Sequence, residues 1–185
     1  MEIVKTARLT LRELTEDDAP LLLRFMGKES VMYAWEYAFA KEQVLEWIGR
    51  NRERYARGEG GYYLAVRHDG VCVGQAALIH GEMAGHDVWE LGWIFDDAYW
   101  GNGYATEAAL GLAHAAFSRP EIDVLWADIR PENARSIAVA RRIGMTPAGE
   151  RFVKLVNGKE MPHDVYRVSR DAFLSAQRDV EQHHQ

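Results

Sequence analysis

One stretch constrains the fold more than any other. Leu91-Gly92-Trp93-Ile94-Phe95 is an apolar strand pattern, Asp96 to Gly103 is a turn with Gly101 and Gly103 one residue apart, and Tyr104-Ala105-Thr106-Glu107-Ala108 opens an alanine-rich helix. A strand that turns through glycines into a helix aims backbone N–H groups of the first helical turn outward, where they can meet an anion. The expectation is a pyrophosphate cradle, with an ordinary strand-to-helix turn as the alternative.

The remaining composition fits a single domain around that junction. A chain of 185 residues, 48% hydrophobic and 27% charged, has enough apolar material for a sizeable core. Residues 1–175 are expected to form the domain and 176–185 a polar tail, with His183-His184 at its end. The start lacks a basic-then-apolar leader, and no apolar run approaches the roughly 18 residues of a membrane span, so a cytoplasmic protein that does not enter membranes is expected. A net charge of −6 argues against nucleic acid as a partner. Cys72, the single cysteine, sits in an apolar strand pattern and reads as core filling.

Along the chain, Leu9 to Arg12 alternates as a first strand, and Thr15-Glu16-Asp17-Asp18 supplies a cap and acidic first turn for a helix to about Met26. Val31 to Phe39 carries five large side chains with no period: either a loop plugging the core edge or the wall of a substrate pocket containing Tyr33 and Trp35. A helix follows from Lys41 to Tyr55. Tyr62 to Val66 and Val71 to Ile79 around His68-Asp69-Gly70 read as a hairpin, and Val88 to Phe95 as the third strand of the meander. Helix 104–117, strand 124–129, a helix over about 134–143 closed by Gly144, and strands 152–156 and 165–168 complete an α/β domain with a mixed, mostly antiparallel sheet.

Several chemistries lack their residues. The seven histidines show no helical or clustered metal spacing, and there is no nucleophile elbow or Cys/His pattern for acyl-enzyme chemistry. The glycine turn lacks Gly-Lys-Ser/Thr, and Thr106 stands where a dinucleotide fold has its third glycine.

Three segments, in order, resemble the GNAT acyl-CoA-dependent N-acetyltransferases, and within them the RimJ/RimL-type branch that acts on ribosomal-protein N-termini. They are Arg8-Leu9-Thr10-Leu11-Arg12; Glu90-Leu91-Gly92-Trp93 through Tyr99-Trp100-Gly101-Asn102-Gly103-Tyr104-Ala105-Thr106-Glu107-Ala108; and Asn133-Ala134-Arg135-Ser136 with Arg142-Ile143-Gly144-Met145. The resemblance implies helices on both faces of the sheet, with strands splayed apart at an acetyl-CoA site. The family signature falls on Trp100-Gly101-Asn102-Gly103-Tyr104-Ala105, with Trp100 in place of the usual polar residue and Thr106 able to add a hydroxyl contact. By the same resemblance the backbones of Ile94 and Phe95 would bond the pantetheine arm, and Asn133 and Ser136 would meet the coenzyme, although Asn133 is equally a sensible helix cap.

The implied reaction is direct attack of an amine on acetyl-CoA, with no metal. Glu90 is the candidate base, acting through a water, against a plain salt-bridged strand carboxylate. The tyrosine that many members place four residues after Ser136 to protonate the sulfur is Ala140 here. At pH 7 an α-amine is roughly 15% neutral and a lysine-like amine about 0.04%, so weak acid–base equipment favours a protein or peptide N-terminus as acceptor. Acetylation of a small amine (an antibiotic, amino acid or polyamine) and a non-catalytic acyl-CoA sensor are the alternatives. The expected assembly is a monomer or homodimer.

Overall fold

The computed structural model describes residues 1–182, with side-chain surroundings through Asp179; His183 and His184 lie outside the described residues. Eight strands form one sheet in the order β1-β2-β3-β4-β5-β6-β8-β7. They are β1 (Glu2–Lys5), β2 (Leu9–Glu13), β3 (Gly60–Arg67), β4 (Cys72–Met83), β5 (His86–Phe95), β6 (Val124–Ile129), β7 (Thr146–Val156) and β8 (Lys159–Ser169). Six helices accompany them: α1 (Ala19–Met26), α2 (Glu29–Met32), α3 (Lys41–Arg57), α4 (Tyr104–Phe117), α5 (Ala134–Arg142) and α6 (Arg170–Gln182). Among the described residues no helix is long and apolar enough to cross a membrane.

Strand parity decides which helices cover which face, because successive side chains point to opposite sides. Leu64, Cys72 and Ile94 pack with Leu22, Phe25, Val44 and Ile48 of α1 and α3 on one face. Leu91, Phe95 and Leu125 pack with Ala109, Leu112 and Ala113 of α4, Val139 of α5 and Phe173 of α6 on the other. The alanines of α4 let it lie close to the sheet, and Gly111 lets it touch β1, since an added Cβ there would come within 2.9 Å of Val4.

Beyond longer final strands and the short α2, the fold departs from the sequence reading at three places. The helix expected from Thr15 begins instead at Ala19, after a 3-10 turn over Glu16–Asp18. Asp18 holds that turn by accepting the Thr15 N–H at 2.7 Å and a bidentate pair from Arg12 at 2.8 and 2.7 Å. β1 adds an edge strand that has no alternating signal of its own and is fixed by its pairing with β2. Residues 176–182 of the stretch read as polar tail continue α6, anchored by Phe173 against His114 and Phe117 at ring distances of 4.8 and 5.2 Å.

The sheet's one parallel contact shapes the site. β5 is held along its whole length by ten pairs to β4, whereas β5 and β6 pair only at Trp89↔Leu125 and Glu90↔Trp126. Beyond Glu90 the two strands part, because β6 follows its six-pair ladder with β8. A wedge-shaped opening therefore runs through the sheet and connects its two faces.

Candidate active site

The opening widens into a cavity of about 1730 Å³ that reaches both faces. A single small-ligand site usually measures about 300–1,000 Å³, so this volume suits two substrates better than one. On the α4–α5 side it is lined by Trp93, Trp100, Gly101, Gly103, Tyr104, Ala105, Thr106, Asn133 and Ser136; on the α1–α3 side by Tyr33, Trp35, Tyr62, Glu90, Gly92 and Asp128.

The glycine turn is built from the end of β5. Asp96, 1% exposed, accepts the Ala98 N–H at 3.1 Å, and both its oxygens are held by cations of α1 and the residue after it: Arg24 at 3.1 Å and Lys28 at 2.7 Å. Gly101 and Gly103 both adopt left-handed backbone, with φ of 81° and 79°. Thr106 Oγ1 is buried with no hydrogen-bond partner among the described residues. Outward amides at a helix N-terminus, glycines without a Cβ and an unsatisfied hydroxyl fit a pyrophosphate.

Trp100 closes the turn. Its indole N–H donates to the Phe95 carbonyl at 3.0 Å and its ring lies 4.0 Å beneath the Arg135 guanidinium. Asn102 is not among the residues lining the cavity, and its side-chain amide turns back to donate to the Tyr99 carbonyl at 2.9 Å, closing the turn.

The ladder also revises the backbone expected to meet the pantetheine arm. Asp96 N–H donates to the Val73 carbonyl at 3.0 Å, and the β4–β5 register is unbroken from there. Because hydrogen-bonded and non-hydrogen-bonded pairs alternate in an antiparallel ladder, Ile94 turns its N–H and C=O to Gln75, and the groups facing the wedge belong to Trp93 and Phe95. With the Phe95 carbonyl taken by Trp100, the Trp93 N–H and C=O and the Phe95 N–H face the wedge beyond the last β5–β6 pair.

On α5, Asn133 Oδ1 accepts the Ser136 N–H at 3.1 Å, the geometry of a helix cap. Ser136 Oγ accepts the Trp93 indole N–H at 3.2 Å, a bond that spans the wedge. Ala140 is fully buried, and no side-chain acid comes from that turn of α5.

Glu90 lies at the last β5–β6 pair, facing the α1–α3 side. Burial, and then the negative charge of Asp128, push its carboxyl up to about 7, while Lys154 and Arg54 pull the other way. Asp128, two residues beyond Trp126 on β6, is itself paired with Lys154. Glu90 forms no salt bridge among the described residues, and burial holds its carboxyl well above the ordinary carboxylate range.

Tyr33 and Trp35 form the outer wall of this side. Arg130 lies 5.2 Å over the Tyr33 ring and donates to Glu36 at 2.6 Å. Trp35 packs edge-on against Trp47, with centroids 6.3 Å apart.

The profile of the acetyltransferase (GNAT) domain matches residues 8–146. This chain belongs to the GNAT acetyltransferase family. It is an N-acetyltransferase, and the sheet with its parted strands is the family's fold. Over 146 residues it is 32% identical to a Bacillus subtilis protein named as uncharacterized protein YkkB, covering 76% of this chain and 83% of that one. It is 26% identical over 147 residues to the uncharacterized N-acetyltransferase YnaD of the same organism, covering 79% and 84%. Among solved structures, its fold is similar to RimL, the ribosomal L7/L12 alpha-N-protein acetyltransferase crystallised with coenzyme A, with a TM-score of 0.77, 21% identity and coverage of 93% and 99%.

In this GNAT acetyltransferase the residues missed from sequence are Tyr62, Trp93, Asp128 and Lys154. A charged residue inside the apolar run Val124-Leu125-Trp126-Ala127-Asp128-Ile129 is the one local sign of them, since an aspartate in a buried strand needs a partner or a function. Tyr62 and Trp93 look like ordinary strand residues until the register shows which face each occupies.

Proposed function

We propose that this enzyme transfers the acetyl group of acetyl-CoA directly to an N-terminal α-amine of a protein or peptide. Acetyl-CoA, when bound, supplies an activated acetyl thioester. The glycine turn, Thr106 and the N-terminus of α4 would hold its pyrophosphate, and the wedge-facing backbone groups of Trp93 and Phe95 its pantetheine arm.

The observation that carries the choice of acceptor is the place of Glu90, a recessed carboxylate lining the cavity where β5 and β6 part, which burial and Asp128 push up to about 7. Moving a proton to such a base from an α-ammonium of pKa about 7.8 costs about 1 kcal/mol; from a lysine ammonium of pKa about 10.4 it costs about 5 kcal/mol. The second figure is a large share of a catalysed barrier. Fully buried Ala140 agrees with this, because an enzyme without an acid on α5 must rely on thiolate departure and on an amine that is easily deprotonated. RimL, whose fold is similar, is named for α-amino acetylation of a protein.

The test is thiol release from acetyl-CoA with a panel of acceptors: peptides with a free N-terminus, the same peptides N-blocked but carrying lysine, polyamines and amino acids. Peptides with free α-amines are expected to give the highest kcat/KM. Turnover confined to polyamines, or to the N-blocked lysine peptides, would refute the proposal.

A further inference from the structure

Tyr62 is placed with more care than a structural strand residue requires. On α3, Trp47, Asn51 and Tyr55 recur every four residues and so share one helix face, and all three act on Tyr62. The Trp47 ring packs on the Tyr62 ring at a centroid distance of 4.7 Å, and its indole N–H is fixed by donating at 3.1 Å to fully buried Gln75. Asn51 Oδ1 accepts the Tyr62 N–H at 2.7 Å, and the same amide donates to the Trp47 carbonyl at 2.8 Å. The Tyr55 hydroxyl donates to the Tyr62 carbonyl. Backbone and ring are thus both locked, and the hydroxyl is the one part of the residue left to act on something else.

The sheet register determines where that hydroxyl goes. Tyr62 pairs with Ala77 on β4, and Ala77 pairs with Gly92 on β5, so the three form one row across the α1–α3 face. Ala77 and Gly92 are small enough for the phenol to lie across two strands. A Cβ added to Gly92 would stand 2.9 Å from the Tyr62 oxygen and 3.4 Å from the Ala77 Cβ. The hydroxyl therefore rests on the Gly92 backbone, two residues past Glu90, where β5 and β6 have just parted. Glu90 and Asp128 face the same part of the cavity, and their charges add to burial in pushing the phenol up, so it stays a neutral hydroxyl at any working pH.

From this placement we infer that Tyr62 is an acceptor-binding residue whose oxygen receives one N–H of the incoming primary amine and so aims the nitrogen lone pair through the wedge. The inference rests on the reading of the cavity as the meeting place of amine and thioester. In that step the nitrogen bonds to the carbonyl carbon and the carbon–sulfur bond breaks with its electron pair going to sulfur; Glu90 already holds the proton taken from the ammonium, and the second proton lost by nitrogen leaves to solvent. Tyr62 exchanges no proton; it orients. A neutral oxygen here favours primary amines, which as free amines carry two N–H bonds and so keep one for it while the other proton is lost.

Tyr62→Phe tests this, because it keeps the ring against Trp47 and both backbone bonds while removing only the hydroxyl. With a peptide acceptor that the parent enzyme acetylates, kcat/KM for the amine is expected to fall about tenfold or more, mostly in kcat, with the Kd for coenzyme A within about twofold of the parent and the Tm unchanged. A loss below about threefold overturns the inference, and so does a parallel loss of coenzyme affinity. Tyr55→Phe, which frees the Tyr62 carbonyl and the Leu14 N–H without touching the cavity, is expected to lose some stability through Leu14 and to lower kcat by a smaller factor in the same pattern; an intact kcat would reduce the α3 stripe to scaffolding and count against it. If the parent binds coenzyme A but releases no thiol with any amine, the proposed function and this inference fall together. A parent that turns over equally well as Tyr62→Phe removes this inference alone.

Discussion

A carboxylate at Glu90 loses hydration on folding and gains Asp128 as a neighbour, and both effects favour its protonated form. Its ordinary value is 4.5 and its folded value about 7, so between those pH values the folded chain holds a proton that the unfolded chain has released. Stability contributed by this group is present below 4.5 and is lost as pH rises through about 7. Glu90→Gln is therefore expected to be more stable than the parent at pH 8 by about 1–3 kcal/mol, the range reflecting partial access to solvent, and equal to it at pH 4.5; urea melts at the two pH values check this. Under the proposed function the same substitution removes the base. Activity should fall about 100-fold at pH 7 and much less at pH 9, where an α-amine is already neutral. A pH–rate profile for the variant that kept a limb near 7 would show that another group sets it. At Gly103 the argument is steric instead. With φ at 79° and no protein atom closer than 3.6 Å to an added Cβ, Gly103→Val combines a strained backbone with a side chain aimed into the cradle. Calorimetry should show the Kd for coenzyme A raised about tenfold or more, and an unchanged Kd would remove the cradle from that turn.

At the scale of elements, the junction from β5 to α4 depends on a carboxylate rather than on the glycines alone. Asp96 joins the end of β5 to Arg24 on α1 and to Lys28 just beyond it, and caps the turn through Ala98. Asp96→Ala would leave the Ala98 N–H without its cap and two cations without their buried partner. Since those cations are 40% and 36% exposed and can recover water, the expected loss is about 2–4 kcal/mol, read as a lower urea midpoint with the slope unchanged. The glycines of this junction are legible in the sequence, as are the hairpin at Asp69-Gly70 and the Ala134 helix, because each is signalled by residues within one turn of the place it marks. What sequence does not reveal is set by register. β1 carries no alternation and exists through its pairs to β2, and the segment 31–39 becomes α2 and a 3-10 turn pinned by Arg130 and Lys159 on Glu36, partners 94 and 123 residues away. Ile94 and Trp93 are equally plausible pantetheine contacts in a bare strand pattern; only the alternation of the β4–β5 ladder separates their backbones. Tyr62 needs three strands to be aligned before its hydroxyl has a position at all.

For the whole molecule, the proposed function brings donor and acceptor together from opposite faces of one sheet, through the wedge. The cradle, Trp93 and Ser136 belong to the α4–α5 side, and Glu90, Tyr62 and the Tyr33–Trp35 wall to the α1–α3 side. With the two groups meeting through the sheet, no side chain has to carry the acetyl group from one to the other. The one thiol is a poor carrier, because Cys72 is 2% exposed in the α1–α3 core and burial pushes it up to about 11, so very little thiolate forms near neutral pH. Transfer should therefore require both substrates at once. Initial velocities measured against acetyl-CoA at several fixed acceptor concentrations are expected to give intersecting double-reciprocal lines, and Cys72→Ala should keep kcat within about twofold of the parent. Parallel lines, together with acetylated protein recovered after acetyl-CoA alone, would mean a covalent relay that this geometry does not provide. A further consequence separates through-sheet transfer from two independent sites. A conjugate joining coenzyme A to a peptide N-terminus spans the wedge as one molecule, so ordering the second half no longer costs a separate association, and it should bind at least about 100-fold more tightly than either half. The gain should disappear if the two halves are joined by a linker too short to pass between β5 and β6.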